Sequence, residues 1–222
     1  MTKKTIIICI GVMAFLIGGL YLLIIYSDLP ENTSSGENIA PKISDTDNIR
    51  QDESVKSGSI SASVTLIEYG DFQCPACSKY HFILKQLEEN FKKELKVVFR
   101  HFPLTNIHKN AMLAAQSAHA AGLQNKFWEM HDLIFENQDK WSDTDPIVTF
   151  IEYANALNMD TKKFVEDMQA ESTKKFILDQ QLKGSTAGVM STPSFFLNEK
   201  LIESPSDYEE FKKIIQDEIN KK

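Results

Sequence analysis

Two cysteines separated by two residues stand where a strand pattern changes into a helix pattern. The β-branched, apolar run at 64–69 predicts a buried strand, and a short connection then leads to Cys74-Pro75-Ala76-Cys77. From Pro75 onward, apolar residues recur at spacings of three and four, which predicts a helix. Proline suits the first turn of a helix, where its missing N–H costs no hydrogen bond. The sequence therefore predicts a pair of cysteines at a helix N-terminus.

A helix N-terminus favours thiol–disulfide chemistry. Its unpaired N–H groups and the helix dipole stabilise a thiolate. In such places the pKa of a cysteine falls from about 8.5 to between about 3.5 and 7.5. Because the thiolate is the species that attacks disulfides, we predict that Cys74 is the nucleophile. Cys77, one turn further on, is predicted to resolve the mixed disulfide.

Zinc binding and a static disulfide are the two alternatives for such a pair. A zinc site needs a second pair of cysteine or histidine ligands, but the chain has no second C-x-x-C motif and its five histidines are scattered along the sequence. A disulfide that closes so short a loop adds little stability in the loop-length model. We therefore predict a redox-active pair and no metal site.

Glu68 interrupts the apolar strand a few residues before Cys74. A carboxyl group in an apolar setting has a raised pKa, and it could exchange a proton with Cys77 as the disulfide opens or closes. The other interpretation is an exposed glutamate at the end of a strand. The sequence does not decide between the two.

Thr192-Pro193 precedes a second apolar strand pattern at 194–197. A proline is tolerated at the entry to a strand, which is the simpler interpretation. The functional one is a cis peptide bond opposite the dithiol, which would leave the backbone groups of Thr192 free to bind an extended substrate. Both interpretations stay open at this point.

The N-terminal segment has the composition of a membrane anchor. Lys3 and Lys4 precede an uncharged run at 5–26, which as a helix would be about 33 Å long and would cross a hydrocarbon core of about 30 Å. A cleavable signal peptide, the alternative, has a shorter apolar region that ends in small residues. We predict a retained single-pass anchor, with residues 1–4 in the cytoplasm and the remainder outside.

The rest of the chain divides into a linker and one domain. Residues 27–58 are polar and contain no aromatic residue, which is typical of a flexible linker. Residues 59–222 predict a strand–helix–strand unit, a helical block at about 105–187, two strands and a last helix. Ser206 and Glu209 match a capping box for that helix. The net charge of −7 argues against a nucleic-acid surface.

Three motifs in this domain resemble one known family. EYGDFQCPAC at 68–77, FWEMHD at 127–132 and GVMSTPSFF at 188–196 are similar to the DsbA-like branch of the thioredoxin superfamily. With its anchor, the chain resembles the BdbD-type proteins of Gram-positive bacteria. The resemblance implies an α/β thioredoxin fold with an inserted helical domain, a nucleophilic Cys74, a cis Pro193 and a buried acid at Glu68.

One position departs from the best-known members of this family. They carry Pro-His between the two cysteines, where the histidine stabilises the thiolate, whereas this chain has Pro75-Ala76. The resemblance therefore does not imply a particular oxidising strength. His81, one turn past Cys77, is expected to be an exposed helix residue.

The function predicted from the sequence is extracytoplasmic thiol:disulfide exchange. The disulfide between Cys74 and Cys77 would oxidise thiols of unfolded secreted proteins, without a separate cofactor. A membrane partner of the DsbB or vitamin K epoxide reductase (VKOR) type would then reoxidise the pair. Disulfides persist outside the cytoplasm, which favours oxidation over a reductase or isomerase fed by a membrane electron donor. A non-catalytic peptide-binding module is the third possibility, and the intact cysteine pair argues against it.

Overall fold

The computed structural model describes residues 62–221. The predicted cytoplasmic residues 1–4, the anchor at 5–26 and the linker at 27–58 lie outside these residues. So do residues 59–61 and Lys222, at the two ends of the predicted domain. None of the helices between residues 62 and 221 is both long and apolar enough to cross a membrane.

Four strands form one mixed sheet in the order β2-β1-β3-β4. β1 is parallel to β2 and antiparallel to β3, and β4 pairs antiparallel with β3. β1 is an interior strand with neighbours on both sides, and all but one of its residues are buried, which explains its nearly continuous apolar sequence. The strands are β1 (Val64–Gly70), β2 (Leu95–His101), β3 (Ser194–Leu197) and β4 (Lys200–Ile202).

The helices follow the predicted element order. Helix α1 (Pro75–Asn90) connects the parallel strands β1 and β2, and α8 (Tyr208–Ile219) follows the β3–β4 hairpin. Between β2 and β3 lie α2 (Ala111–Gly122), α3 (Phe127–Glu136), α4 (Gln138–Trp141), α5 (Ile147–Ala156), α6 (Thr161–Gln169) and α7 (Glu171–Thr186). The predicted α/β thioredoxin arrangement, with helices inserted between its two halves, is the one observed. The short helix α4 was not predicted.

Alternation along β1 determines what each face of the sheet buries. Leu66 packs on one face in a core shared with helices α1 and α8, through Leu87 and Phe211. Ile67 and Tyr69 point to the opposite face, in a second core. Since side chains alternate along a strand, Glu68 lies on the same face as Leu66, toward α1 and its cysteines.

The inserted helices form a third core that reaches the cysteines. Trp141, Phe150 and Phe164 are fully buried in it, and the same cluster contains Phe72 and Cys77. The turn that carries the dithiol is therefore packed against the helical block and does not project freely into solvent.

Two turn predictions had different outcomes. The hairpin at Asn198-Glu199 is confirmed: both residues have positive φ, 44° and 72°, as a tight hairpin turn requires. The predicted capping box at Ser206 and Glu209 is wrong by one residue. The N-cap is Asp207, whose carboxylate accepts from Glu210 N at 3.0 Å, while the Glu210 carboxylate accepts from Ser206 N at 2.6 Å.

Gly184 in α7 is a position where the packing leaves no room for a side chain. A Cβ there would lie 2.7 Å from Tyr69 Cε1 and 3.0 Å from Phe102 Cδ2, both in the core beneath the sheet. We expect Gly184→Ala to lower the free energy of unfolding by about 1–3 kcal/mol, because overpacking outweighs the gain in helix propensity. Denaturant unfolding of the purified protein measures it. Ser185→Ala, at the exposed neighbouring position, is the control and should stay within about 0.5 kcal/mol; equal stability of the two variants would contradict this packing argument.

Candidate active site

Cys74 occupies the N-cap position of helix α1. Its backbone is extended, with φ −73° and ψ 122°, and its carbonyl accepts the hydrogen bond from Ser78 N at 3.2 Å. Pro75 follows in the first turn, as the sequence predicts. Both cysteines are reduced, and the exposed fraction is 7% for Cys74 and 0% for Cys77. The structure thus places a dithiol at a helix N-terminus, with Cys74 slightly exposed to solvent and Cys77 enclosed.

The helix start makes Cys74 an unusually acidic thiol. Its pKa is lowered to about 5, first by a hydrogen bond from the Cys77 thiol and then by the backbone N–H groups of Cys77 and Ala76. Partial burial opposes these contributions but does not cancel them. At neutral pH Cys74 is therefore a thiolate, the form that attacks disulfides.

Cys77 has the opposite character. Burial raises the pKa of its thiol well above the ordinary value, and the hydrogen bond to Cys74 and the charge of Glu68 act in the same direction. Asp71 N donates to the Cys77 sulfur at 3.5 Å and is the stabilising contact that opposes the rise. The two sulfurs are therefore divided into an attacking thiolate and a protonated, shielded thiol.

Glu68 is buried, with 2% of its surface exposed. Burial raises the pKa of its carboxyl group to about 8, and the negative charge of Cys74 adds to the rise. Within the described part of the chain, Glu68 Oε1 has no hydrogen-bond partner. The interpretation as an exposed strand-end glutamate is wrong. A protonated carboxyl group therefore lies on the face of β1 that is turned toward α1 and its cysteines.

The Thr192–Pro193 peptide bond is cis, and it lies against the dithiol. Cys74 Sγ lies 3.4 Å from Thr192 O, so the turn before β3 contacts the attacking sulfur directly. Met190, just before this turn, is 91% exposed. The predicted site residues at 68–77 and 192–193, distant in the sequence, thus meet in one place.

Side-chain amides hold the dithiol turn against the helical block. Gln138 Nε2, from α4, donates to Phe72 O at 2.7 Å and to Cys74 O at 3.0 Å. Gln73 donates to Ser142 O at 2.7 Å and accepts from Asn110 N at 2.7 Å. Sequence reasoning missed these residues because each acts through a distant backbone group. The one local indication was Asp71 two residues before Gln73, the spacing of an Asx turn, which is present at 2.8 Å.

His81 is buried, so the expectation of an exposed helix histidine is wrong. It is 2% exposed because α1 packs there against α3, and its ring stacks on Phe135 with 5.4 Å between centroids. His81, His131 and Asp132 also offer ligand atoms within 4.8 Å of one another, so these histidines are not scattered in space. Neither cysteine belongs to that group. Lys85 Nζ lies 3.2 Å from Asp132 Oδ2 and already supplies a positive charge there.

The family model described as Thioredoxin matches residues 50–217. The chain belongs to this family. The oxidised form of BdbD from Bacillus subtilis has the same fold, with a TM-score of 0.66, 23% identity, and coverage of 75% of this chain and 92% of that one. This likeness concerns the fold.

Two curated relatives match this chain over much of its length. A probable disulfide bond formation protein D of Bacillus cereus is 28% identical over 173 residues, which cover 74% of this chain and 78% of that protein. A relative named Na(+)/H(+) antiporter NhaA 1, from Mycolicibacterium gilvum, is 36% identical over 150 residues, or 66% of this chain. The chain spans only 23% of the length of that relative. These findings confirm a DsbA-like member of the thioredoxin superfamily.

The acidity of Cys74 depends first on the Cys77 thiol, which can be tested by replacing Cys77. We expect Cys77→Ala to raise the pKa of Cys74 by about one pH unit or more, because the variant loses a hydrogen-bond donor to the thiolate. Cys77→Ser keeps a donor and should raise it less. Thiolate absorbance near 240 nm, followed against pH, measures both. The same Cys74 pKa in the two variants would remove the role assigned to this donor.

The buried acid should make stability depend on pH. The Glu68 carboxyl group has an ordinary pKa of 4.5 and a pKa of about 8 in the folded protein, so the folded state binds its proton more tightly. Its stabilising contribution is complete below pH 4.5 and is lost as the pH rises through about 8. Relative to Glu68→Gln, the wild type should lose on the order of 3 kcal/mol of unfolding free energy between pH 5 and 8.

This measurement is best made by denaturant unfolding of the oxidised protein. Cys74 does not titrate when it is in a disulfide, so its own opposing pH dependence is absent. Its charge then no longer adds to the rise of the Glu68 pKa, but burial is the larger cause and remains, so most of the predicted loss is expected in this form. Parallel pH profiles for the wild type and Glu68→Gln would show that Glu68 ionises normally in the folded state.

Proposed function

We propose that the protein catalyses disulfide formation in secreted or surface proteins outside the cytoplasm. The observation that carries the proposal is the division of the dithiol into an acidic Cys74 at the helix start and a buried, protonated Cys77. As a disulfide, such a pair can accept two electrons from substrate thiols, and a membrane partner must then reoxidise the resulting dithiol. No separate cofactor is required, because the Cys74–Cys77 disulfide is itself the oxidant.

The reaction begins when a substrate thiolate attacks Cys74 Sγ of the oxidised protein. The Cys74–Cys77 bond breaks, its electron pair remains on Cys77 Sγ, and a mixed disulfide forms between the substrate and Cys74. Cys77 takes up a proton, for which the protonated Glu68 is the nearby source. A second substrate thiolate then attacks the substrate sulfur, which forms the new disulfide and releases Cys74 as a thiolate.

Thr192 and Pro193 are proposed to hold the substrate during this attack. The turn contacts Cys74 through Thr192 O, and an extended peptide laid along it would present its cysteine to the same sulfur. The exposed Met190 offers an apolar contact beside the turn. A backbone-based site of this kind accepts many sequences, which suits a catalyst that acts on unfolded chains.

Thiolate stability supports oxidation as the direction of electron flow. A low pKa of Cys74 stabilises the reduced form, and stabilisation of the reduced form makes a disulfide more oxidising. Ala76 occupies the position between the cysteines where the best-known relatives have a histidine. Here Cys77 and the N–H groups of α1 take over the stabilisation of the Cys74 thiolate. A reductase or isomerase with the same dithiol is the alternative.

The cellular setting is part of the proposal. The apolar segment at 5–26 would tether the domain to the outer face of the cell membrane through the linker at 27–58. From there, Cys74 and Cys77 could be reoxidised by a membrane partner of the DsbB or VKOR type, with thiols of unfolded secreted proteins as substrates.

Activity and potential together test this function. We expect the purified protein to oxidise a reduced, unfolded protein and Cys74→Ala to be inactive, since that variant loses the attacked sulfur. Activity retained in Cys74→Ala would exclude the proposed role of the dithiol. Equilibration in glutathione buffers gives the direction: we expect a potential nearer to about −120 mV, the value of DsbA, than to about −270 mV, the value of thioredoxin. A value near that of thioredoxin would favour the reductase.

A further inference from the structure

Asp71 is a second buried carboxylate beside the dithiol, and it is differently built from Glu68. Its side chain is fully buried and accepts three hydrogen bonds. Oδ1 accepts from Gln73 N at 2.8 Å, and Oδ2 accepts from Leu104 N at 2.8 Å and from His108 Nδ1 at 2.7 Å. A carboxylate oxygen can only accept, so His108 carries a proton on Nδ1.

The backbone of His108 is itself fixed by hydrogen bonds. It lies in the connection between β2 and α2. There its backbone N–H donates to Leu104 O at 2.9 Å, and its backbone carbonyl accepts from Ala111 N at 3.2 Å. The imidazole is 17% exposed, so it shields the carboxylate from solvent. The contact therefore joins the start of the inserted helices to the turn that carries the cysteines.

The backbone of Asp71 faces Cys77. Asp71 N donates to Cys77 Sγ at 3.5 Å, and Asp71 O accepts from Cys74 N at 3.0 Å. The position of this N–H group depends on how the residue is anchored, and its anchor is the carboxylate. His108 therefore acts on the dithiol through Asp71, without a contact of its own to either sulfur.

We infer that His108 is a positioning residue for thiol–disulfide exchange. Through its hydrogen bond to Asp71, it holds the N–H group that stabilises the Cys77 sulfur when that sulfur leaves. A thiolate that is stabilised leaves faster. The inference deepens the proposed function and rests on it in one respect: the Cys74–Cys77 disulfide must be open to attack by thiolates.

The attack that depends on this group is the first step of exchange. A thiolate forms a bond to Cys74 Sγ, the bond from Cys74 to Cys77 breaks, and the electron pair passes to Cys77 Sγ. Negative charge therefore develops on Cys77, where Asp71 N points. Preorganised donors matter most where charge develops in the transition state.

The experiment measures how fast reduced glutathione attacks the oxidised, full-length protein in detergent, by stopped-flow tryptophan fluorescence. His108→Leu has no donor and should react about tenfold more slowly than the wild type. His108→Asn carries an amide N–H that can replace Nδ1–H, and it should remain within about twofold of the wild type. If the leucine variant does not fold, His108→Ala, which also lacks the donor, is used with the same expectation.

Two controls separate positioning from general damage to the site. Lys109→Ala removes a hydrogen bond to Asp143 O from the same connection, without touching Asp71, and should react like the wild type. In the reduced protein, the pKa of Cys74 should stay at about 5 in His108→Leu, because the Cys77 thiol and the backbone N–H groups that lower it are unchanged.

The outcomes are distinct. A wild-type rate in His108→Leu, or an asparagine variant as slow as the leucine variant, would overturn the inference while leaving the proposed function intact. A wild-type disulfide that glutathione does not attack would instead remove the proposed function itself.

Discussion

The start of helix α1 is the constraint on which the rest of this site depends. Its first N–H groups have no partners within the helix, and the chain places Cys74 at the position that faces them. A sulfur there is stabilised as a thiolate, whereas the sulfur one turn further on is enclosed by the core. One secondary-structure boundary thus gives two chemically different cysteines from a motif that is nearly symmetric in sequence.

The start of a helix can stabilise a thiolate in this way only if the chain around it is held in place. β1 delivers the turn from the centre of the sheet, and the cis Thr192–Pro193 turn approaches Cys74 from β3. On the remaining side, Gln138 binds the carbonyl groups of Phe72 and Cys74 from within the inserted helices. The inserted helices therefore help to fix the turn that carries the dithiol, and this turn is held from three directions.

The sequence predicted the parts of this arrangement that depend on neighbours in the chain. Alternation, helical spacing and Pro75 located β1, α1 and the cysteines between them, and the hairpin at Asn198-Glu199 needed only its own turn residues. It could not locate what depends on packing between distant elements. The burial of His81 results from contact between α1 and α3, and Gln138 acts through backbone groups more than sixty positions away. The geometry of Thr192-Pro193 remained open for the same reason until β3 was seen beside β1.

The two buried acids show how hydrogen bonding assigns different roles to the same functional group. Asp71 accepts three hydrogen bonds, which make it a fixed anchor for the turn. Glu68 has an oxygen without a hydrogen-bond partner in the described part of the chain, and its pKa of about 8 keeps it protonated at neutral pH. In the proposed reaction, an anchor must keep its hydrogen bonds, and a proton donor must not be held by other donors. Asp71 and Glu68 each meet one of these requirements, so a proton can move beside Cys77 while the N–H group that faces its sulfur stays in place.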